Sequence, residues 1–68
     1  MVWINGRAVE AEGKSLGEMV EAVCRQQGVN PEAVVVLLNE EIWSKGRWPD
    51  RTLVAGDVVE IVTLMQGG

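Results

Sequence analysis

The sequence predicts an α+β fold in which a mixed sheet of four to five strands packs on one main helix. Three observations carry that expectation. Short runs of strand-forming residues stand on both sides of a single helical segment. That segment has its own start and stop signals. A turn dipeptide, Asn5-Gly6, separates the first two runs.

Val2-Trp3-Ile4 and Ala8-Val9-Glu10-Ala11 flank Asn5-Gly6, whose residues tolerate the positive φ angles of a type I′ turn, so a hairpin opens the chain. Ser15 with Glu18 three residues on makes a capping box and starts a helix near Leu16. Leu16, Met19, Val20 and Val23 share one face at helical spacing, and Gly28 closes the helix. After Asn30-Pro31, the run Val34-Val35-Val36-Leu37-Leu38 predicts a strand buried on both faces. Residues 39–52 read as irregular, with a short strand at Glu41-Ile42-Trp43. Gly56-Asp57 then turns the chain into a last strand over 58–65.

Composition limits what such a domain does. Sixty-eight residues make one small domain, near the lower limit for a self-sufficient core. Histidine is absent and Cys24 is the lone cysteine, so no internal disulfide forms and no transition-metal cluster is expected. A single thiol, no membrane-length apolar run and no signal pattern suit a cytoplasmic protein. The net charge of −4 argues against a nucleic-acid partner and favours a basic protein surface.

The chain ends in Gly67-Gly68, with only Gln66 between them and the last strand. Glycine finishes a strand poorly, because it has nothing to pack and loses the most entropy on ordering. Residues 1–65 are therefore expected to form the domain and 66–68 a flexible, narrow tail ending in a free carboxylate. Such an arm threads a tunnel too tight for a residue with a Cβ. A frayed Gly-rich terminus is the alternative.

The order strand, strand, helix, strand, short strand, strand is that of the ubiquitin-like β-grasp fold, with first and last strands parallel at the centre. The segments Ile4-Asn5-Gly6, Leu38-Asn39-Glu40-Glu41-Ile42, Trp48, Leu53-Val54-Ala55-Gly56-Asp57, Val59-Glu60-Ile61 and Gly67-Gly68 resemble the ThiS-type sulfur carriers of thiamine thiazole synthesis, in the MoaD/ThiS superfamily. The resemblance covers essentially the full length. The chain departs from it at Ser44-Lys45, where the family often has Pro-Arg, and at Gln66, where a Gly or small residue is common.

The resemblance implies a carrier protein and not an enzyme, with no cofactor or metal of its own. An E1-like adenylating enzyme of the ThiF type is the implied first partner, and a ThiG-type thiazole synthase the sulfur acceptor. Chemistry agrees with a division of labour. A carboxylate is a poor electrophile, whereas an acyl-adenylate has AMP as leaving group, and sulfur can displace it to leave Gly68 a thiocarboxylate. The chain has no phosphate-binding loop and no evident base, so activation belongs to a partner. Related carriers serving molybdopterin or tRNA thiolation remain alternatives, although molybdopterin subunits usually run longer and often approach the diglycine through prolines. A ubiquitin-like interaction module or modifier is a third reading.

Strand parity puts Val2, Ile4, Val59 and Ile61 toward the helix and leaves Trp3, Glu60, Val62 and Leu64 on the opposite face. Trp3, Val62 and Leu64 are the candidate docking patch beside the tail; otherwise Trp3 merely covers its neighbours. Trp43 and Trp48 read as lids over the core edge and Cys24 as a semi-buried structural thiol on the helix flank, the sulfur arriving from a partner's persulfide.

Amide relaxation of the free protein checks the division into domain and tail. Residues 66–68 are expected to show low order parameters, and the central strands values near 0.85, the level of roughly rigid backbone. A tail as ordered as those strands contradicts the reading.

Overall fold

Asn5 and Gly6 take φ of 51° and 83°, which folds β1 (Val2–Ile4) back on β2 (Arg7–Val9) as an antiparallel hairpin with Trp3 opposite Ala8. The structure, a computed structural model, describes residues 1–64; Met65 and the expected tail, with Gly67 and Gly68, lie outside the described residues. Helix α1 (Leu16–Gln27) begins where the capping box predicts. Ser15 Oγ accepts from the Glu18 N–H at 3.0 Å, and Glu18 Oε1 accepts from the Ser15 N–H at 2.9 Å. Gly28, at φ 71°, ends it, with the Val29 N–H donating to the Cys24 carbonyl in the six-residue closure of a Schellman end.

A 3₁₀ turn, Pro31–Ala33, leads into β3 (Val34–Leu38). β4 (Glu41–Trp43) pairs antiparallel with β3, and a 3₁₀ helix, Lys45–Asp50, follows. β5 (Val58–Thr63) then inserts between β1 and β3, parallel to the first and antiparallel to the second. The resulting five-stranded sheet has the order β2-β1-β5-β3-β4. This is the expected β-grasp arrangement, and the last strand in sequence is the central one.

One face of the sheet meets α1. Val2, Ile4, Val36, Leu38 and Val59 bury there against Leu16, Met19, Val20 and Cys24. Period-2 alternation in the strands and the 3.6-residue stripe of the helix place these side chains together. Each buried aliphatic side chain is worth roughly 1.5–3 kcal/mol, which makes this layer the main source of stability.

Three sequence expectations need correction. β3 is not buried on both faces: Val36 and Leu38 are buried, but Val35 and Leu37 are only half-buried, because among the described residues no second layer covers the outer face. Trp48 is not a lid at the edge. It is 2 % exposed, inserted against α1 at Gly17, where an added Cβ would meet its Cβ at 3.4 Å. Its indole N–H donates to the Trp43 carbonyl at 2.8 Å, which satisfies the polar end of a buried ring. Cys24 lies within the core and not on its flank, at 2 % exposed, while Val23 takes the flank. Trp43 is the edge residue, half-buried with the Arg47 guanidinium 4.4 Å from its ring centroid.

The return segment is ordered by hydrogen bonds to the helix entry. Leu16 N–H donates to the Arg51 carbonyl at 2.7 Å and Leu53 N–H to the Lys14 carbonyl at 2.8 Å. Beside it lies Asp57, 5 % exposed. Its carboxylate accepts from the Val54 N–H at 2.9 Å, from Asn39 Nδ2 at 3.1 Å and from Arg51 Nη2 at 3.1 Å. Asn39 also accepts from the Val58 N–H, so one cluster joins the β3–β4 turn to the entry of β5.

Burial pushes the Asp57 carboxyl up, but the Val54 amide, Asn39 and Arg51 together hold it below its ordinary value of 3.8. A folded-state value below the unfolded one means the cluster stabilises fully above 3.8 and progressively less as pH falls through it toward the folded value. Asp57→Ala orphans three donors and is expected to cost about 2–4 kcal/mol at neutral pH, with the penalty shrinking in acid. Urea unfolding of both proteins across the acid range measures it. A constant difference between them at every pH contradicts the role given to this carboxylate.

Candidate functional site

The end of β5 is hydrogen-bonded on both flanks. β1 stops at Ile4, and there the Asn5 side chain takes over: its Oδ1 accepts from the Ile61 N–H at 2.9 Å. On the other flank the Leu64 N–H donates to the Ala33 carbonyl at 2.8 Å. β5 is therefore guided to the last described residue, with Asn5 in a left-handed conformation that asparagine tolerates better than most residues. Gly67 and Gly68, the two residues the sequence singles out, follow beyond the described part of the chain.

The sheet face away from α1 is open and apolar. Trp3 and Val58 stand side by side on β1 and β5, followed along β5 by Glu60 and Val62. Leu37 lies opposite Glu60, and Ile42 opposite Leu37 on the edge strand. Trp3 is 44 % exposed, Val62 49 % and Leu64 62 %, so all three expected docking residues are accessible. The register does not make them one cluster. Trp3 pairs with Val58, and Val62 lies four residues further along β5, about 13 Å at strand rise. Glu60 stands between them, and only Val62 and Leu64 lie toward the end of the described chain.

Val58 and Ile42 belong to this face and escaped the sequence reading, although both are exposed. Parity with Glu60 and Val62 was enough to find Val58. Ile42 had no such signal, because its face follows from pairing with Leu37, which the sequence does not specify.

Other chemistry-bearing groups are placed differently. Burial pushes the Cys24 thiol up, and the negative Glu21 adds to the effect. A protonated, enclosed thiol packs and does not react. A groove of about 410 Å³ opens on the helix side between the hairpin and α1, lined by Ile4, Val9, Met19 and Val23 with Arg7 as its only charge. Among the described residues no group of three or more His, Cys, Asp or Glu side chains could hold a metal, and no helix is long and apolar enough to cross a membrane.

The sequence model of the ThiS family matches residues 2–68. A protein named sulfur carrier protein ThiS, from Thermus thermophilus, is 52 % identical over 68 residues, all of both chains. The crystal structure of a thiamine biosynthesis protein (ThiS) from Geobacter metallireducens superposes with a TM-score of 0.72 at 31 % identity, covering 98 % of this chain and 97 % of that one. A solution structure of a thiamine biosynthesis protein from the same organism gives 0.72 at 28 % identity, covering 98 % and 86 %.

Proposed function

Since the chain belongs to the ThiS family, we propose that it is a sulfur carrier of thiamine biosynthesis whose Gly68 carboxylate is the carrying group. The observation that supports this most directly is the full-length match to a sulfur carrier in a chain that ends in two glycines after its central strand. The chain acts as a co-substrate, and the enzymes are its partners.

The chemistry runs in two displacements. A carboxylate oxygen of Gly68 attacks the α-phosphorus of ATP in an E1-like adenylating enzyme, and pyrophosphate leaves. A sulfur nucleophile then attacks the acyl carbon, and AMP departs with that oxygen. With a persulfide donor, the acyl disulfide so formed is cleaved by a thiol reductant. The net change is one carboxylate oxygen exchanged for sulfur, and the thiocarboxylate passes its sulfur to a thiazole synthase. Two glycines suit this because the acyl carbon must reach two different enzyme sites through narrow approaches, and small misplacements of a reacting atom are costly.

Docking falls to the open face. Val62, next to the root of the tail, and Trp3, at the opposite end of the same face, supply apolar area for a partner, and Leu64 extends it toward the tail. Val62→Asp is expected to leave the unfolding midpoint nearly unchanged, because the side chain is half exposed in the free protein. It should weaken binding to the adenylating enzyme by about tenfold or more, since a new carboxylate is buried unpaired. Unchanged affinity measured by titration calorimetry removes the face from the reading.

Mass spectrometry tests the function itself. After incubation with the adenylating enzyme, ATP and a sulfur donor, the terminal residue should gain the mass of one oxygen-to-sulfur exchange. Deleting Gly67-Gly68 should abolish the exchange, and Gly68→Ala should slow it by crowding the line of attack. An amide-linked lysine adduct would identify a modifier, and no change an inert module.

A further inference from the structure

Glu60 is the one charged residue at the strand positions of the open face among the described residues. It stands at the middle of that face, with Val58 and Val62 on either side along β5 and Leu37 directly across. Its carboxylate has no hydrogen-bond or ion-pair partner among the described residues. A protein that covers Trp3, Val58 and Val62 therefore also covers this charge. Burying a carboxylate without a counter-charge would oppose docking by more than the neighbouring apolar contacts recover.

We propose that Glu60 is the polar anchor of the open face and that the adenylating partner presents a cationic side chain, an arginine by chemistry, against it. This rests on the docking role given to the face above. Two copies of this chain meeting through that face would bring Glu60 toward Glu60, which like-charge repulsion disfavours. Among the described residues no cation pairs with it. Arg51 is committed to Asp57, Lys45 pairs with Glu32, Arg47 lies on Trp43, and Arg7 lines the helix-side groove. The net charge of −4 adds long-range attraction for a basic surface.

Arginine fits better than lysine. Its planar fork engages a carboxylate with two parallel bonds, it is less strongly hydrated, and its stem tolerates apolar neighbours. Trp3, one strand away and one pair along, provides a ring face on which a guanidinium can stack. A polar group at this position also interrupts the apolar patch that would favour self-association of the free sheet. That role alone would make the charge replaceable by any polar group, which separates it experimentally from an ion-pair anchor.

The experiment uses the full chain and the E1-like adenylating enzyme of the same organism, titrated at low and at physiological salt. Glu60→Gln is expected to weaken binding about tenfold and Glu60→Lys at least about thirtyfold, the range for loss and reversal of one desolvated charge pair. Wild-type affinity should fall with added salt, and the Gln variant should lose most of that dependence. Both variants should keep the wild-type unfolding midpoint, which excludes a folding defect. Affinities equal to wild type, with the wild-type salt dependence intact, overturn the proposal. So does a wild-type dimer that Val62→Asp dissociates, because a second copy is then the occupant. Conversion of wild-type Gly68 to the thiocarboxylate in the same mixtures is read in parallel. If it proceeds while the Glu60 variants bind normally, the anchor fails and the carrier function stands; if wild type binds but is never converted, the carrier function fails.

Discussion

The sheet depends on a strand that the chain supplies last. Without β5 there is no central element: β1–β2 is an isolated hairpin and β3–β4 another, and neither is stable alone in water. Joining them requires contacts such as the one between Asn5 and Ile61, which are 56 residues apart. Closing a loop of that length costs entropy before the core returns any stabilisation. Two asparagines reduce the ambiguity of where β5 lies. Asn5 and Asn39 both adopt φ of 51° at strand ends, and each uses a side-chain oxygen to fix a backbone N–H of β5. Asp57 completes the arrangement by holding Asn39 and the preceding turn together.

That constraint links stability to function through geometry. Because β5 is central, its outward side chains lie in the middle of the open face and its end leads toward the terminal glycines. The strand that completes the core is thus also the strand that places Val58, Glu60 and Val62 on the open face. A one-residue slip in its register would exchange Val59 and Ile61 for Glu60 and Val62 on the core side. The polar brackets at Asn5 and Asn39 oppose such a slip, since their bonds to Ile61 and Val58 exist in a single register.

Much of this was legible in the amino-acid order, and the failures have physical causes. The hairpin turn, the capping box, Gly28 and the Gly56-Asp57 turn are local signals, so they appear where the sequence implies. Parity on β1 and β5 predicted which faces Trp3 and Val62 occupy. The uniform run Val34–Leu38 could not reveal that one of its faces lacks a covering layer, because burial depends on what the rest of the chain brings to it. Trp48 looked peripheral since it lies in a segment without periodicity, yet its Cβ and backbone pack against α1 at Gly17 and its side chain is buried in the core. The distance between Trp3 and Val62 follows from the stagger of β1 against β5, a tertiary quantity. Gly67 and Gly68 were singled out by composition and position alone, and they lie outside the described residues.

The three tryptophans sit at three depths: Trp48 enclosed, Trp43 half covered at an edge, and Trp3 turned outward on the open face. With no Tyr or Phe in the chain, the near-ultraviolet signal of this protein belongs to these indoles alone. The same molecule thereby contains separate optical sensors. The enclosed ring reports whether the core is intact, and the outward ring reports whether its surface has been covered. A spectrum that loses the second signal while keeping the first distinguishes occupation of the open face from unfolding, with no added label and no altered residue.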